Sequence, residues 1–488
     1  MNNNIELEVY LERIFGHRSF RQGQKAAIQS ALDQQDSLVM LPTGTGKSIC
    51  YQLSGYLMDG LVVVVSPLLS LMEDQTSKMR QRGEKKVAAL TSMLHSFEKN
   101  RILQALNQLK FLFLSPEMLY QPQVMNQLKK QKIALFVVDE AHCISQWGFD
   151  FRPEYLQLGE ARSQLNHPVT MALTATATSN VQDEIIEILG LDKEESLLIS
   201  TSVDRPNIFM HVEHCRGDKN DRMLEYVKKL PKPGIVYFSS KRMADKAALI
   251  LQEEHESAEV YHSDISADDK LKIQAQFDAG NIDVVCATSA FGMGIDKPDI
   301  RFVLHYHVPG SPEQYMQEIG RGGRDGQPSV AVALIDESDY FIQRNLIESS
   351  YLSRTILEAI FNGTGQIEKS GLSEVQIALG KYYLQSGLNL EGTSQLIEER
   401  KRIKQNQLQW MGNFVTSNRC LREQVLEYFD EKLEKKPDKC CSVDHPTGIN
   451  FFFVQMDASK KKALEHGNVK SWTKVIENLF GLPKISSK

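Results

Sequence analysis

Two hydrophobic rhythms alternate along this 488-residue chain. Continuous apolar runs at residues 38–41, 61–65, 111–114 and 134–138 each break into a polar loop, and a stretch of helical period follows. A run without alternation is buried on both faces, as strands of a parallel sheet are. Strand, loop and helix in repetition is the grammar of an α/β protein. The pattern pauses at Asp204-Arg205-Pro206-Asn207, a linker signal, and resumes with runs at 234–238, 260–262 and 284–288. Two parallel-sheet lobes are therefore expected, over residues 1–203 and 204–341. From 342 onward the rhythm turns helical. It predicts a helical insertion at 342–396 around Ser370-Gly371-Leu372-Ser373-Glu374, a helical pair at 397–446, and a basic tail at 447–488 with one amphipathic helix over 469–480.

Composition adds little to this picture. With 42% apolar and 24% charged residues the chain reads as an ordinary globular protein. No apolar run approaches the ~20 residues needed to span a bilayer, and no leader-like segment opens the chain, so no membrane partner and a cytoplasmic location are expected. Charge is uneven: residues 341–488 carry 21 Lys+Arg against 17 Asp+Glu, or +4, which leaves −10 of the net −6 for residues 1–340. Seven lysines against two glutamates fall in residues 458–488, either a nucleic-acid-binding surface or simply a solvated face. Cys50, Cys143, Cys215 and Cys286 are scattered as reduced thiols usually are, whereas Cys420, Cys440 and Cys441 stand apart.

The first run ends in Pro42-Thr43-Gly44-Thr45-Gly46-Lys47-Ser48. Glycines there let backbone N–H groups converge on an anion at a helix N-terminus, Lys47 would reach the β and γ phosphates of a nucleoside triphosphate, and Ser48 would coordinate magnesium. The strict phosphate-loop pattern wants glycine where Leu41 stands, so a tight structural turn remains open at this stage. Upstream, Gln24 carries an amide that can read an adenine edge and Arg21 could stack on the base; a helix cap is the alternative. At the tip of the fourth run, Asp139-Glu140-Ala141-His142 places two carboxylates for metal chemistry, Asp139 holding the magnesium through its water shell and Glu140 orienting and deprotonating the attacking water. Trp147, Phe149, Phe151 and Arg152 follow around Gly148, either a stacking platform for unpaired bases or a core-facing loop.

The order of these stretches resembles lobe one of a superfamily 2 helicase, and Asp139-Glu140-Ala141-His142 running into the Trp147 loop resembles the RecQ family of DNA helicases. Ala290-Phe291-Gly292-Met293-Gly294-Ile295-Asp296 and Gln317-Glu318-Ile319-Gly320-Arg321-Gly322-Gly323-Arg324 extend the likeness across residues 10–340. The resemblance implies an α/β fold of two RecA-like lobes with a smaller, mostly helical C-terminal region. It further implies one ATP bound between the lobes and 3′-to-5′ translocation on single-stranded DNA. By position, His17, Arg21 and Gln24 would surround the adenine, Thr43, Gly44, Thr45, Gly46, Lys47 and Ser48 the phosphates, and His142 would relay between the aromatic loop and the ATP. Arg321 and Arg324 are spaced to share one face if the stretch is helical and are the expected catalytic arginines, and one of them, Arg324 by family position, would reach across the cleft as an arginine finger. ATP and Mg2+ are the expected cofactors, and single-stranded and forked DNA with a single-strand-binding protein the expected partners of a monomer acting in DNA repair or recombination.

The family's helical pair carries a zinc held by four cysteines, and here the pattern departs. Cys420 and Cys440 fall at the first two positions, while Val443 and Pro446 stand where the last two would align. Cys420, Cys440 and Cys441 completed by Asp444 or His445 would still hold Zn2+; a degenerate site kept by packing is the other reading. Residues after His445 are too few for both the winged helix and the helical accessory domain of the family, so at least one is expected to be missing. A DNA-stimulated ATPase that translocates, anneals or displaces protein but unwinds weakly is thus the second functional reading.

Overall fold

The structure is a computed structural model that describes residues 6–145, 153–292, 297–363, 372, 374–385 and 387–453. Its first lobe is a seven-stranded sheet: β1 (Ser37–Met40), β2 (Leu61–Val65), β3 (Val87–Leu90), β4 (Phe111–Leu114), β5 (Ile133–Val138), β6 (Thr170–Thr174) and β7 (Leu197–Ser200). All pairings are parallel, in the order β3-β4-β2-β5-β6-β1-β7. Strand β2 shows why the apolar runs are unbroken: Leu61, Val63 and Val65 enter the core on one face of the sheet, while Val62 and Val64 enter the core on the other. The edge strand β7 is the exception, with only Ile199 buried.

The second lobe repeats the plan with six parallel strands, β8 (Ile208–His214), β9 (Gly234–Tyr237), β10 (Ala258–Tyr261), β11 (Val284–Ala287), β12 (Phe302–His305) and β13 (Ser329–Ile335). Their order is β10-β11-β9-β12-β13-β8. The linker at 204–207 joins β7 directly to β8. In both lobes the strand tips carry the loops that face the cleft, where such sheets bind ligands.

Beyond the second sheet the chain is helical, and its units are cut differently from expectation. A helix at Ser338–Ser350 runs through the boundary expected at 341/342, and the 27-residue helix Leu390–Thr416 runs through the one expected at 396/397. Neither sequence holds a Pro or Gly at those points to stop a helix. Leu390–Thr416 therefore serves two cores. Ile397 packs with Tyr351, Leu357, Ile360 and Tyr383, whereas Leu408, Met411, Phe414 and Val415 pack on Ile208, Met210 and Tyr315 of the second lobe. Helix Leu421–Tyr428 returns beside it. The chain then covers the exposed edge of β8: Met210 N donates to Cys440 O (3.4 Å) and Ser442 N to Met210 O (2.8 Å). Of the expected basic tail, Ile449 and Phe452 belong to the core of lobe 2; the helix expected at 469–480 lies outside the described residues. No helix among the described residues is long and apolar enough to cross a membrane.

Candidate nucleotide site and cysteine cluster

The glycine turn after β1 is held from every side. Gly44 and Gly46 have φ of 83° and 80°, the left-handed region that an alternating anion-binding turn requires. Thr45 Oγ1 donates to Pro42 O (2.7 Å), and Lys47 Nζ, at the start of helix Lys47–Leu57, donates back to Leu41 O (3.2 Å). Ser48 follows in the first turn of that helix. Gln24 is buried and donates to Thr45 O (2.8 Å) and Gly46 O (3.1 Å), while accepting from Arg21 N (2.9 Å). Arg21 itself donates to Gly44 O. His17 is exposed beyond helix Leu7–Phe15.

Opposite the turn, β5 delivers Asp139 and Glu140. Asp139 N is fixed to Val65 O (2.9 Å), and Glu140 N donates to Asp139 Oδ1 (3.0 Å). Glu140 has φ 50° and ψ 48°, a left-handed conformation that costs a non-glycine residue about 1–3 kcal/mol and persists only where its surroundings enforce it. Burial, reinforced by the Glu140 charge, pushes Asp139 up to about 7; burial likewise lowers Lys47, against the attraction of Glu140 and Asp139. These are groups poised for a counter-ion and an anion. Burial lowers His142, against the attraction of Glu140; its Nδ1 lies 2.9 Å from Thr174 Oγ1 and 3.4 Å from Glu140 Oε2. Thr174 Oγ1 in turn donates to Thr176 O (3.1 Å). Trp147, Phe149, Phe151 and Arg152 lie outside the described residues; of the residues on either side, His142 is bonded to Thr174 and Tyr155 OH donates to Asp139 O (3.3 Å).

Lobe 2 closes the site, and its two arginines part company. Helix Pro312–Ile319 ends at Gly320, and the glycines that follow turn the chain, so Arg321 and Arg324 do not share a helical face as their spacing suggested. Buried Arg321 donates to Gly292 O within its own lobe. Arg324 crosses to the cradle: a Cβ placed on Gly44 would lie 2.8 Å from Arg324 Cγ, so only glycine admits this approach. The lobes also touch where Thr43 Oγ1 donates to Gly320 O (3.0 Å).

A second polar centre lies in the helical region. Cys420, Cys440, Cys441 and Asp444 each offer a ligand atom, all within 4.8 Å of one another. Cys420 Sγ lies 3.5 Å from Cys440 Sγ and 3.9 Å from Cys441 Sγ, and Asp444 Oδ2 lies 3.2 Å from Cys441 Sγ. A hydrogen bond from Cys440 draws Cys441 down to about 6, into the thiolate range. Against its burial, bonds from Lys436 (2.7 Å) and from the cysteine thiols hold Asp444 at about 2. Of the two candidates for a fourth ligand, Asp444 is the one among these atoms; His445 is exposed.

Several residues of these centres had no mark in the sequence. Arg205 and Asn207 read only as linker, and Arg422, fully buried, read as nothing. Glu313 of lobe 2 is gripped by Tyr428 OH (2.7 Å) and Gln407 Nε2 (3.2 Å) of the helical pair, and its charge bears on His142. Asp430 accepts from Ser179 Oγ (2.6 Å) in lobe 1. No signal in the sequence marks them, because their partners lie far away along the chain.

Two parallel sheets facing across one phosphate cradle define the two-lobed, RecA-like helicase fold. The same fold is seen in S. cerevisiae Dbp5 bound to RNA and ADP BeF3 (TM-score 0.58, 18% identity, 70% of this chain and 90% of that one) and in Mycobacterium smegmatis helicase Lhr bound to ssDNA and AMP-PNP (0.56, 19%, 71% and 49%). Residues 21–184 match the DEAD/DEAH box helicase family, 218–326 the helicase conserved C-terminal domain, and 381–445 the RecQ zinc-binding family. The chain is 39% identical to the "Probable ATP-dependent DNA helicase RecS" of Bacillus subtilis over 98% of its own length and 99% of that protein. It is 35% identical to the ATP-dependent DNA helicase RecQ of Synechocystis over 91% and 99%, and 34% identical to that of Haemophilus influenzae over 88% and 62%. The chain belongs to the RecQ family.

Proposed function

We propose that this protein is an ATP-dependent DNA helicase that moves 3′ to 5′ along one strand and separates the duplex ahead, in DNA repair or recombination. The observation that carries the reading is that Arg324 of lobe 2 reaches the Gly44 turn beside Lys47, whose charge is also felt by Asp139 and Glu140 of lobe 1. In this reading the N–H groups of the turn and Lys47 bind the β and γ phosphates. Glu140 orients the attacking water and takes its proton. Arg324 neutralises charge gathering on the γ-phosphoryl group as the bond to the leaving oxygen breaks. Ser48 and, through a water shell, Asp139 would hold magnesium, which would neutralise charge on the phosphates; a buried carboxyl raised by burial beside a second carboxylate suits a cation. Arg21, Gln24 and His17 take the adenine, Gln24 exchanging its bonds to Thr45 O and Gly46 O for the base edge.

Trp147, Phe149, Phe151 and Arg152 are the proposed stacking platform for single-stranded DNA. Support comes from the described residues on either side of them: His142 is bonded to Thr174 and Tyr155 to Asp139, so both flanking segments touch the proposed hydrolytic centre.

The cysteine cluster suits zinc. Three thiols and a carboxylate are an accepted donor set, and sulfur separations of 3.5 and 3.9 Å bracket the edge of about 3.8 Å that follows from Zn–S bonds of about 2.3 Å in a tetrahedron. Cys420, Cys440, Cys441 and Asp444 would hold the ion, which supplies a cross-link between helix Leu421–Tyr428 and the segment covering β8. The protein acts as a cytoplasmic monomer on single-stranded and forked DNA, with a single-strand-binding protein as partner. Phosphate release tests the proposal: the wild type should be stimulated by single-stranded DNA more than by RNA, and Lys47→Ala should lose nucleotide binding. Turnover indifferent to DNA would refute it.

A further inference from the structure

The connection between the lobes does more than tether them. The Arg205 guanidinium spreads over a row of carbonyls, with Nη1 donating to Gly320 O (2.7 Å) and Thr43 O (3.5 Å) and Nη2 to Gly322 O (2.7 Å) and Gly323 O (2.9 Å). Asn207 Nδ2 adds bonds to Gly323 O (2.8 Å) and Gln327 O (2.8 Å). The stretch so held ends one residue before Arg324. Among three glycines there only Arg321 offers a side chain by which packing could fix the backbone, and glycine loses the most conformational freedom on being ordered. Its carbonyls are the available handles, and a planar fork of donors is suited to several at once.

Arg205 is anchored in turn. Buried Arg422, two residues after Cys420 and in contact with Cys440, donates to the Asp204 carboxylate, to Arg205 O (2.9 Å) and to Ile208 O (2.5 Å). A path of hydrogen bonds thus runs from the cysteine cluster through the linker to the turn that carries Arg324. We propose that Arg205 is a positioning residue for Arg324: it fixes the glycine turn so that Arg324 meets the cradle at Gly44, and Arg422 makes that placement depend on the cysteine-bearing helical pair. The inference rests on the reading of Arg324 as the arginine finger.

The test is single-turnover ATP hydrolysis by the full chain with saturating single-stranded DNA, together with titration of a fluorescent ATP analogue. The variants are Arg205→Gln, Arg205→Lys, Asn207→Ala, Arg324→Ala and the Arg205→Gln/Arg324→Ala double. Arg205→Gln should lose about 10²-fold in rate, the usual cost of misplacing a reacting group by about an ångström, with nucleotide affinity nearly unchanged. Arg205→Lys should rescue little of it, because a point charge cannot span the carbonyls. Added to Arg324→Ala, Arg205→Gln should cost nothing more, since no finger remains to be placed. Asn207→Ala should lose about fivefold in rate, one hydrogen-bonding group's worth. A multiplicative loss in the double variant, or a loss that lies in affinity, overturns the positioning role and leaves the finger standing. Should Arg205→Gln fail to fold, an unchanged rate in Asn207→Ala overturns it equally. Near-normal hydrolysis by Arg324→Ala removes the finger itself, and this proposal with it.

Discussion

Lobe 1 presents its proposed functional groups from the ends of its own strands: Lys47 in the helix after β1, Asp139 and Glu140 at the tip of β5, Thr174 at the end of β6. Lobe 2 has the same parallel plan, yet Arg324 hangs from a glycine turn that the linker's Arg205 and Asn207 hold, and the linker is itself held by Arg422 of the helical pair. One half of the site is thus built from within and the other fastened from outside. The difference predicts how each fails: loss of lobe 1's cradle, as in Lys47→Ala, should appear in nucleotide binding, whereas damage to lobe 2's supports should appear in turnover alone.

The widest gap between the halves should come from Arg324→Ala, which is expected to bind ATP and lose ~10³- to ~10⁵-fold in hydrolysis, the usual worth of an arginine finger. Nucleotide titration beside single-turnover rates would expose any error, since a binding defect would assign Arg324 to the wrong half. Next, Glu140→Gln should keep affinity for ATP and lose about 10²- to 10⁴-fold in rate, the range for removing a general base. Steady-state hydrolysis within a few fold of wild type would return that role to another group.

Lobe 1 was legible for the same reason that it is self-contained. Lys47 and the Asp139-Glu140 pair sit next in sequence to the runs that place them, and β2, β4 and β5 are continuous apolar stretches because both faces of the sheet are covered. Strand β7 has only the apolar triplet Leu197-Leu198-Ile199 and buries one residue in four, too short a run to announce a strand, and β8 trails off from buried to exposed along its length. Arg205 and Arg422 could not be read at all, because apart from the distant Asp204 carboxylate on Arg422 their partners are main-chain carbonyls, which have no letter in the sequence. The arginine pair at 321 and 324 misled in the opposite way. Their spacing fits one face of a helix, but Gly320, Gly322 and Gly323 end the helix first. The cysteine cluster was legible in its members and not in its geometry, which depends on Cys440 and Cys441 lying along the edge of β8.

Two smaller effects sharpen the contrast. Lys436 holds Asp444, so Lys436→Ala should weaken zinc by about 10- to 100-fold, as loss of a partner behind a metal ligand commonly does. Chelator competition measures it, and protein purified without zinc would end the metal assignment. Thr174→Val removes the bond to His142 and should cut stimulation by single-stranded DNA about fivefold, from a hydrogen bond worth roughly 1 kcal/mol, while basal hydrolysis holds. An equal fall in both rates would mean that Thr174 supports the sheet and not the coupling.

Unwinding tests most directly whether the two halves form a motor. Duplexes with a 3′ tail, a 5′ tail or a fork, incubated with the full chain, Mg2+ and ATP, should be separated when a 3′ single strand is available and left intact when only a 5′ tail is, with phosphate released in step. Separation from 5′ tails alone, or hydrolysis stimulated by DNA with every duplex left intact, would contradict the account.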